Sequence, residues 1–346
     1  MQKFNRHTIQ KNETLQSIAS LYGMDTDALK LFHNNQCEVK DMILIGLTGQ
    51  KELFLPRTAV ADKSRLVKFG PGNTLLFQPE HSSQRYAVAI IIDNGSRRSE
   101  LKYTTSVRWL KTENRLHFFE IDRTSSLYLN EEEVNEIADL LAYKTSKVLY
   151  PLQISTDRHG KFNAVENLSV FKERWPAVKE EVYRLFEGET VDHYCQKIEY
   201  IIDEPDAIGL YLKNDYFLRA LFFGIYQRFG EEYQTEITET FPVVDNVMEP
   251  VFGIKLETDP LKDEYDLIQI KGNGILNDER SANDFMAGTP FSLTFDDDVQ
   301  INHDGSIHLH YFLNGKTTLA ESIYLECDIS LEQEKKVTVE IAAITE

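Results

Sequence analysis

The chain lacks most of the features that announce a function. It has only three cysteines in 346 residues, Cys37, Cys195 and Cys327, each more than a hundred positions from the next. An odd, widely spaced set with no Cys-x-x-Cys pair excludes a disulfide frame and a cysteine zinc site, and predicts buried thiols. Long apolar runs are missing too: no stretch reaches the roughly eighteen uncharged apolar residues that a membrane span needs. The opening MQKFNRHTIQKNETLQ has no apolar segment of the secretory kind, so the expected location is the cytoplasm as synthesised. Positive charge is scarce, with 37 Lys and Arg against 56 Asp and Glu and a formal charge of −19. A phosphate backbone or an anionic membrane is repelled by such a surface, which excludes nucleic acid as an expected partner. No internal repeat of solenoid length stands out.

What is present suffices for real cores: 42% hydrophobic and 11% aromatic residues, in a length suited to one to three domains. The first segment carries the clearest pattern. Phe4 to Gln10 is predicted as a short strand, and Thr14 opens a helix with Leu15, Ile18, Ala19 and Leu21/Tyr22 on one face, stopped by Gly23. Asp25 or Thr26 caps a second helix with Ala28, Leu29 and Phe32 inward, ending at His33-Asn34-Asn35 before an apolar segment from Met42 to Leu55.

The ordered set Thr8-Ile9, Thr14-Leu15, Ile18-Ala19, Tyr22-Gly23, Leu29, Asn34, Gly49-Gln50 and Leu55-Pro56 resembles the LysM module over about residues 3–56. The turn Asn12-Glu13 departs from the usual Gly-Asp, and the stretch before the last strand is a few residues longer than usual. The resemblance implies a βααβ module that binds N-acetylglucosamine polymers such as peptidoglycan or chitin. Its groove would lie between the loop after the first strand and the loop after the second helix. Carried onto this chain, the groove would use Asn12, Glu13, Thr14 and Leu15 on one side and Asn34, Met42, Ile43 and Leu44 on the other. Exposed backbone N–H and C=O groups suit acetamido sugars, which present one donor and one acceptor, while apolar side chains cover the methyl group and ring faces. Alternatively, Leu15 and Ile43 are plain core and Asn34 merely ends a helix.

Residues 57–85 are predicted as a polar connector with one short strand at Thr74 to Gln78, and residues 86–346 as a second domain. That domain opens with alternating strands at 85–95, 101–109 and 115–123, followed by a helix capped by Asn130 with Glu131, Glu132 and Glu133 in its first turn. A hairpin around Asp157-Arg158-His159-Gly160 places His159 in an exposed turn. Residues 167–230 have helical spacing throughout, including Tyr216, Phe217, Leu221, Phe222, Ile225 and Tyr226; strands return from Phe241, with hairpin turns at Asp304-Gly305 and Asn314-Gly315. The expected fold class is therefore α+β: an N-terminal LysM-like βααβ module plus a larger domain of curved antiparallel sheet with a helical insert.

Catalytic and metal motifs are weak. Asn314 to Thr318 reads Asn-Gly-Lys-Thr-Thr, but the glycine that a phosphate loop needs five residues before Gly315 is His310. His308 and His310 share a strand face near His303 without a recognisable ligand pattern, and Asp296-Asp297-Asp298 lacks the alternation of a calcium loop. Cys195 follows His193, but positions i and i+2 of a helix do not face each other. The expectation is thus a binding protein with no catalytic residues, no cofactor and no metal. Its expected partner is a GlcNAc-containing glycan, reached by a non-classical or phage-like route such as a contractile secretion apparatus. Two alternatives stand beside it: a cytoplasmic scaffold, adaptor or chaperone that uses the module for protein contact, and a cell-wall hydrolase targeted by it.

Overall fold

The computed structural model describes residues 4–10, 13–244, 247–292 and 304–344. The first elements are β1 (Asn5–Thr8), α1 (Leu15–Leu21), α2 (Thr26–Asn34) and β2 (Glu52–Leu55). Strands β3 (Ser83–Asp93), β4 (Arg98–Glu113), β5 (Leu116–Arg123), β6 (Tyr128–Leu129) and β7 (Glu132–Glu133) follow, then α3 (Ile137–Ser146), β8 (Leu152–Thr156) and β9 (Phe162–Val165). Four helices come next: α4 (Leu168–Leu185), α5 (Glu189–Asp203), α6 (Pro205–Lys213) and α7 (Tyr216–Leu221). The chain then forms β10 (Gln234–Thr240), β11 (Val251–Thr258), β12 (Leu267–Leu276), α8 (Ala282–Ala287), β13 (Gly305–Asn314), β14 (Ala320–Ser330) and β15 (Glu334–Ile344).

This arrangement corrects the expected fold class. In place of an α+β pair, with a βααβ module beside a curved sheet carrying a helical insert, the molecule is mostly one antiparallel sheet of 13 strands with few helices. The N-terminal strands contribute only a separate two-stranded sheet, β1–β2. The main order is β10-β11-β12-β13-β14-β15-β3-β4-β5-β8-β9, with β6 and β7 added beside β4. The physical reason is the pairing of β15 with β3, from Lys336↔Asp93 to Ile344↔Arg85, which fuses the early and late strand blocks into one sheet around one continuous core.

Two local expectations are also corrected. Asn130 and Glu131 do not open a helix; both have positive φ, 52° and 72°, and turn the chain between β6 and β7. The helical pattern of 167–230 ends at Leu221, and Phe222, Phe223, Ile225, Tyr226 and Phe229 lie buried outside any helix. Aromatic spacing alone did not reveal that the backbone leaves the helix at Phe222, with φ −116° and ψ 53°, and that Gly224 follows at φ 96°. The turn after β13 is likewise longer than two residues, because β14 starts only at Ala320.

The sheet is strongly coiled. Eleven strands laid flat would put the two outer ones about 48 Å apart at the usual interstrand spacing. Instead, Lys161, next to β9, pairs with Glu239 of β10 at 2.6 Å. The segment 222–229 fills the seam: Phe162 N donates to Phe222 O, Tyr226 N to His159 O, Leu75 N to Gln227 O and Phe229 N to Asn73 O. Inward-facing glycines permit the curvature on β12. A Cβ on Gly272 would meet Leu256 and Leu309 at 2.8 and 2.9 Å, and one on Gly274 would meet Ile254 and Ile307 at 2.7 Å. Buried tyrosine hydroxyls inside the coil are satisfied by backbone carbonyls, Tyr86 by Ala320, Tyr226 by Thr318 and Tyr311 by Ala220.

The N-terminal unit has its own small core of Leu15, Ile18, Ala19, Leu29, Ile43, Leu53 and Leu55. The connector is fastened at both ends. Asp62 N donates to Leu21 O at the end of α1, and Arg65 donates through Nε and Nη2 to Lys262 O while its own carbonyl accepts from Lys262 N. Among the described residues no helix is long and apolar enough to cross a membrane.

Candidate functional site

The loop after α2 is the most constrained irregular segment of the N-terminal unit. Asn34, at the end of the helix, donates from Nδ2 to Ile43 O at 2.9 Å and accepts at Oδ1 from Ile43 N at 2.8 Å. This pair imitates a strand ladder and holds Ile43 so that its side chain enters the core. His33 is buried beside it. Its Nδ1 accepts from Phe54 N, so the proton sits on Nε2, which donates to Asp41 O at 3.1 Å. Lys30 Nζ donates to Leu44 O, and Gln50 Nε2 donates to Met42 O. Residues 41–44 therefore run back along α2, anchored successively to His33, Asn34 and Lys30.

Pinning the loop leaves the other side of it bare. Leu44 is 76% and Ile45 98% exposed, with Met42 partly exposed and Leu31 and Val39 prominent nearby in sequence. The backbone N–H groups of Leu44, Ile45 and Gly46 have no hydrogen-bond partner among the described residues. The result is a strip of open peptide groups flanked by exposed aliphatic side chains.

The predicted groove residues divide accordingly. Leu15 and Ile43 are core, and Thr14 is a helix cap whose Oγ1 accepts from Ser17 N while Ser17 Oγ accepts from Thr14 N. Asn34 is spent on the loop, whereas Met42 and Leu44 are available to a ligand. Asn12 lies outside the described residues. Glu13 is turned toward β1: its Oε2 accepts from Gln10 N and meets His7 Nε2, both at 2.7 Å, while His7 Nδ1 meets the Tyr22 hydroxyl at 3.1 Å. Burial, then the Glu13 carboxylate, pushes the Tyr22 hydroxyl above its ordinary pKa. The same two causes, followed by Asp259, raise that of Tyr233, which lies just before β10. Sequence reasoning missed Leu31, Val39, Ile45, Lys30 and His33. The signal for Leu31 was there, since it lies two residues after the inward Leu29 and so on the opposite side of the helix.

The remaining candidates separate from this site. His308 and His310 do share the outer face of β13, but no group of three His, Cys, Asp or Glu side chains suited to a metal occurs among the described residues. His303 and Asp296-Asp297-Asp298 lie outside those residues. Asn314 Oδ1 accepts from Lys316 N and Thr317 N, which makes that segment a side-chain-stabilised turn. His159 is part-buried, with Nδ1 meeting Tyr226 O at 2.9 Å. Cys195 is buried in α5, and desolvation pushes its thiol pKa up, the opposite of an activated nucleophile.

No family model matches the chain, and no curated protein matches it. Among solved structures, one titled "Lipid-protein interactions in lipovitellin" is similar at 7% identity and a TM-score of 0.34, over 78% of this chain. The chain spans 25% of the length of that structure. A likeness at that score fixes neither fold nor function.

Proposed function

We propose that this is a binding protein whose N-terminal unit takes an N-acetylglucosamine-type glycan along the strip at residues 42–46. One observation carries this: the free N–H groups of Leu44, Ile45 and Gly46 lie between exposed apolar side chains on a loop already held rigid by Asn34 and His33. An acetamido group needs a donor or acceptor for its amide and an apolar contact for its methyl, and a preordered loop lowers the entropy lost on binding. The resemblance of residues 3–56 to LysM modules supports the same ligand class. A second role, protein contact, is favoured by the exposure of Leu31 and Val39, which extends the apolar surface beyond what one sugar covers.

Titrating the full chain with chitotetraose, followed by amide shifts, tests the proposal. Shifts confined to residues 13–15 and 34–46, abolished in Leu44→Asp with an unchanged melting temperature, are the expected result. A folded protein without shifts at millimolar sugar overturns the glycan ligand and leaves protein contact as the role of the strip.

A further inference from the structure

On the outer face of the large sheet, two cross-strand rows run side by side over β10 to β13. One row is Glu236, Lys255, Asn273 and His308; the other is Thr238, Gly253, Ile275 and Ser306. The second row lacks a side chain at Gly253, and around that gap lies a hollow of about 610 Å³.

This glycine is not demanded by the fold. Gly272 and Gly274 face inward and are needed because a Cβ there collides with core side chains. A Cβ on Gly253 would meet nothing closer than Asn277 at 3.8 Å, and its φ lies outside the positive range that favours glycine. A glycine in a strand interior weakens the strand, so one without a packing reason marks a place where something else approaches the backbone.

The walls select the chemistry. His308 Nδ1 meets Asn273 Oδ1 at 2.9 Å, and Ser306 Oγ meets His308 Nε2 at 3.3 Å, which fixes these polar groups in place. Lys255 is paired with Glu257 at 2.9 Å, and Glu236 adds a carboxylate on the neighbouring strand, which disfavours a phosphate. Nor is this an acyl-transfer centre: Ser306 Oγ donates its proton to Asp328 Oδ2 at 2.5 Å rather than to the imidazole, and the neighbouring backbone N–H groups belong to the sheet ladder. Mixed donors and acceptors, the Glu236 carboxylate among them, beside the exposed apolar face of Ile275, match the hydroxyls and the C–H faces of a pyranose.

We propose that the notch at Gly253 is a binding site for a neutral oligosaccharide, one ring seated over the glycine against Ile275 with its hydroxyls on Asn273, His308 and Thr238. The site is independent of the N-terminal strip.

The test uses the full chain with cellotetraose and maltotetraose, which lack acetamido groups, read by calorimetry and by amide shifts. One of the two sugars is expected to shift residues 236, 238, 253, 273 and 275. Gly253→Val, which fills the hollow from a position open to a side chain, is expected to melt no lower than the parent and to weaken binding about ten-fold or more. Asn273→Ala is expected to weaken it as well, while Leu44→Asp leaves it unchanged. The absence of shifts at these residues with either sugar, or binding that Gly253→Val leaves intact, overturns the proposal. Neither result bears on chitotetraose binding at the N-terminal strip.

Discussion

Asn34 decides at a single side chain whether the residue 42–46 strip exists. Its amide makes both hydrogen bonds to the Ile43 backbone, so Asn34→Ala leaves a buried donor and acceptor unpaired and is expected to destabilise the N-terminal unit by about 1–3 kcal/mol. Faster hydrogen exchange at the Ile43 amide, together with loss of chitotetraose shifts, checks this. Exchange equal to that of the parent would mean that Lys30 and His33 hold the loop without Asn34. The asparagine was legible in the sequence as a position, but its role was not. The sequence places it beside the helix end, whereas the partner that consumes its amide arrives nine residues later through a loop whose path depends on His33 and Gln50.

Strand β12 shows how one element shapes the sheet around it. Its sequence LIQIKGNGIL alternates as a strand should, with two glycines at positions where glycine is ordinarily the poorer strand former. They are instead where the strands on either side close in. Gly274→Ala inserts a methyl group at 2.7 Å from Ile254 and Ile307, and an overpacking cost of about 1–3 kcal/mol is expected in a denaturant melt. Gly253→Ala on the neighbouring β11 faces open space and is expected to be neutral or stabilising by about 0.5–1 kcal/mol, since glycine is the poorer strand former. Equal effects of the two substitutions would contradict the curvature account. The sequence marked strands at 251–257 and 266–271, stopping short of Gly272 and Gly274; that these two continue β12 and face inward against crowded neighbours required the register.

For the whole molecule, the seam and the connector matter most. Arg65 ties the segment after the N-terminal unit to the turn before β12 and also reaches Ser20 O at 3.5 Å. Arg65→Ala is expected to leave the melting of the large sheet unchanged while accelerating tryptic cleavage at Lys63; an unchanged cleavage rate would show that Asp62 and the Leu66–Leu261 bridge suffice. By itself the sequence determined the local elements whose signals are short-range: the helix starts at Thr14 and at Asp25 or Thr26, the alternating strands between Arg85 and Arg123, and a formal charge of −19. Only the tertiary structure decided that β15 pairs with β3, that the helical pattern stops at Leu221, and that the sheet coils until Lys161 meets Glu239. Hydrophobic periodicity reports which face of an element is buried, but not what covers it. Pairing between strands more than two hundred residues apart is chosen by the packing of all of them at once.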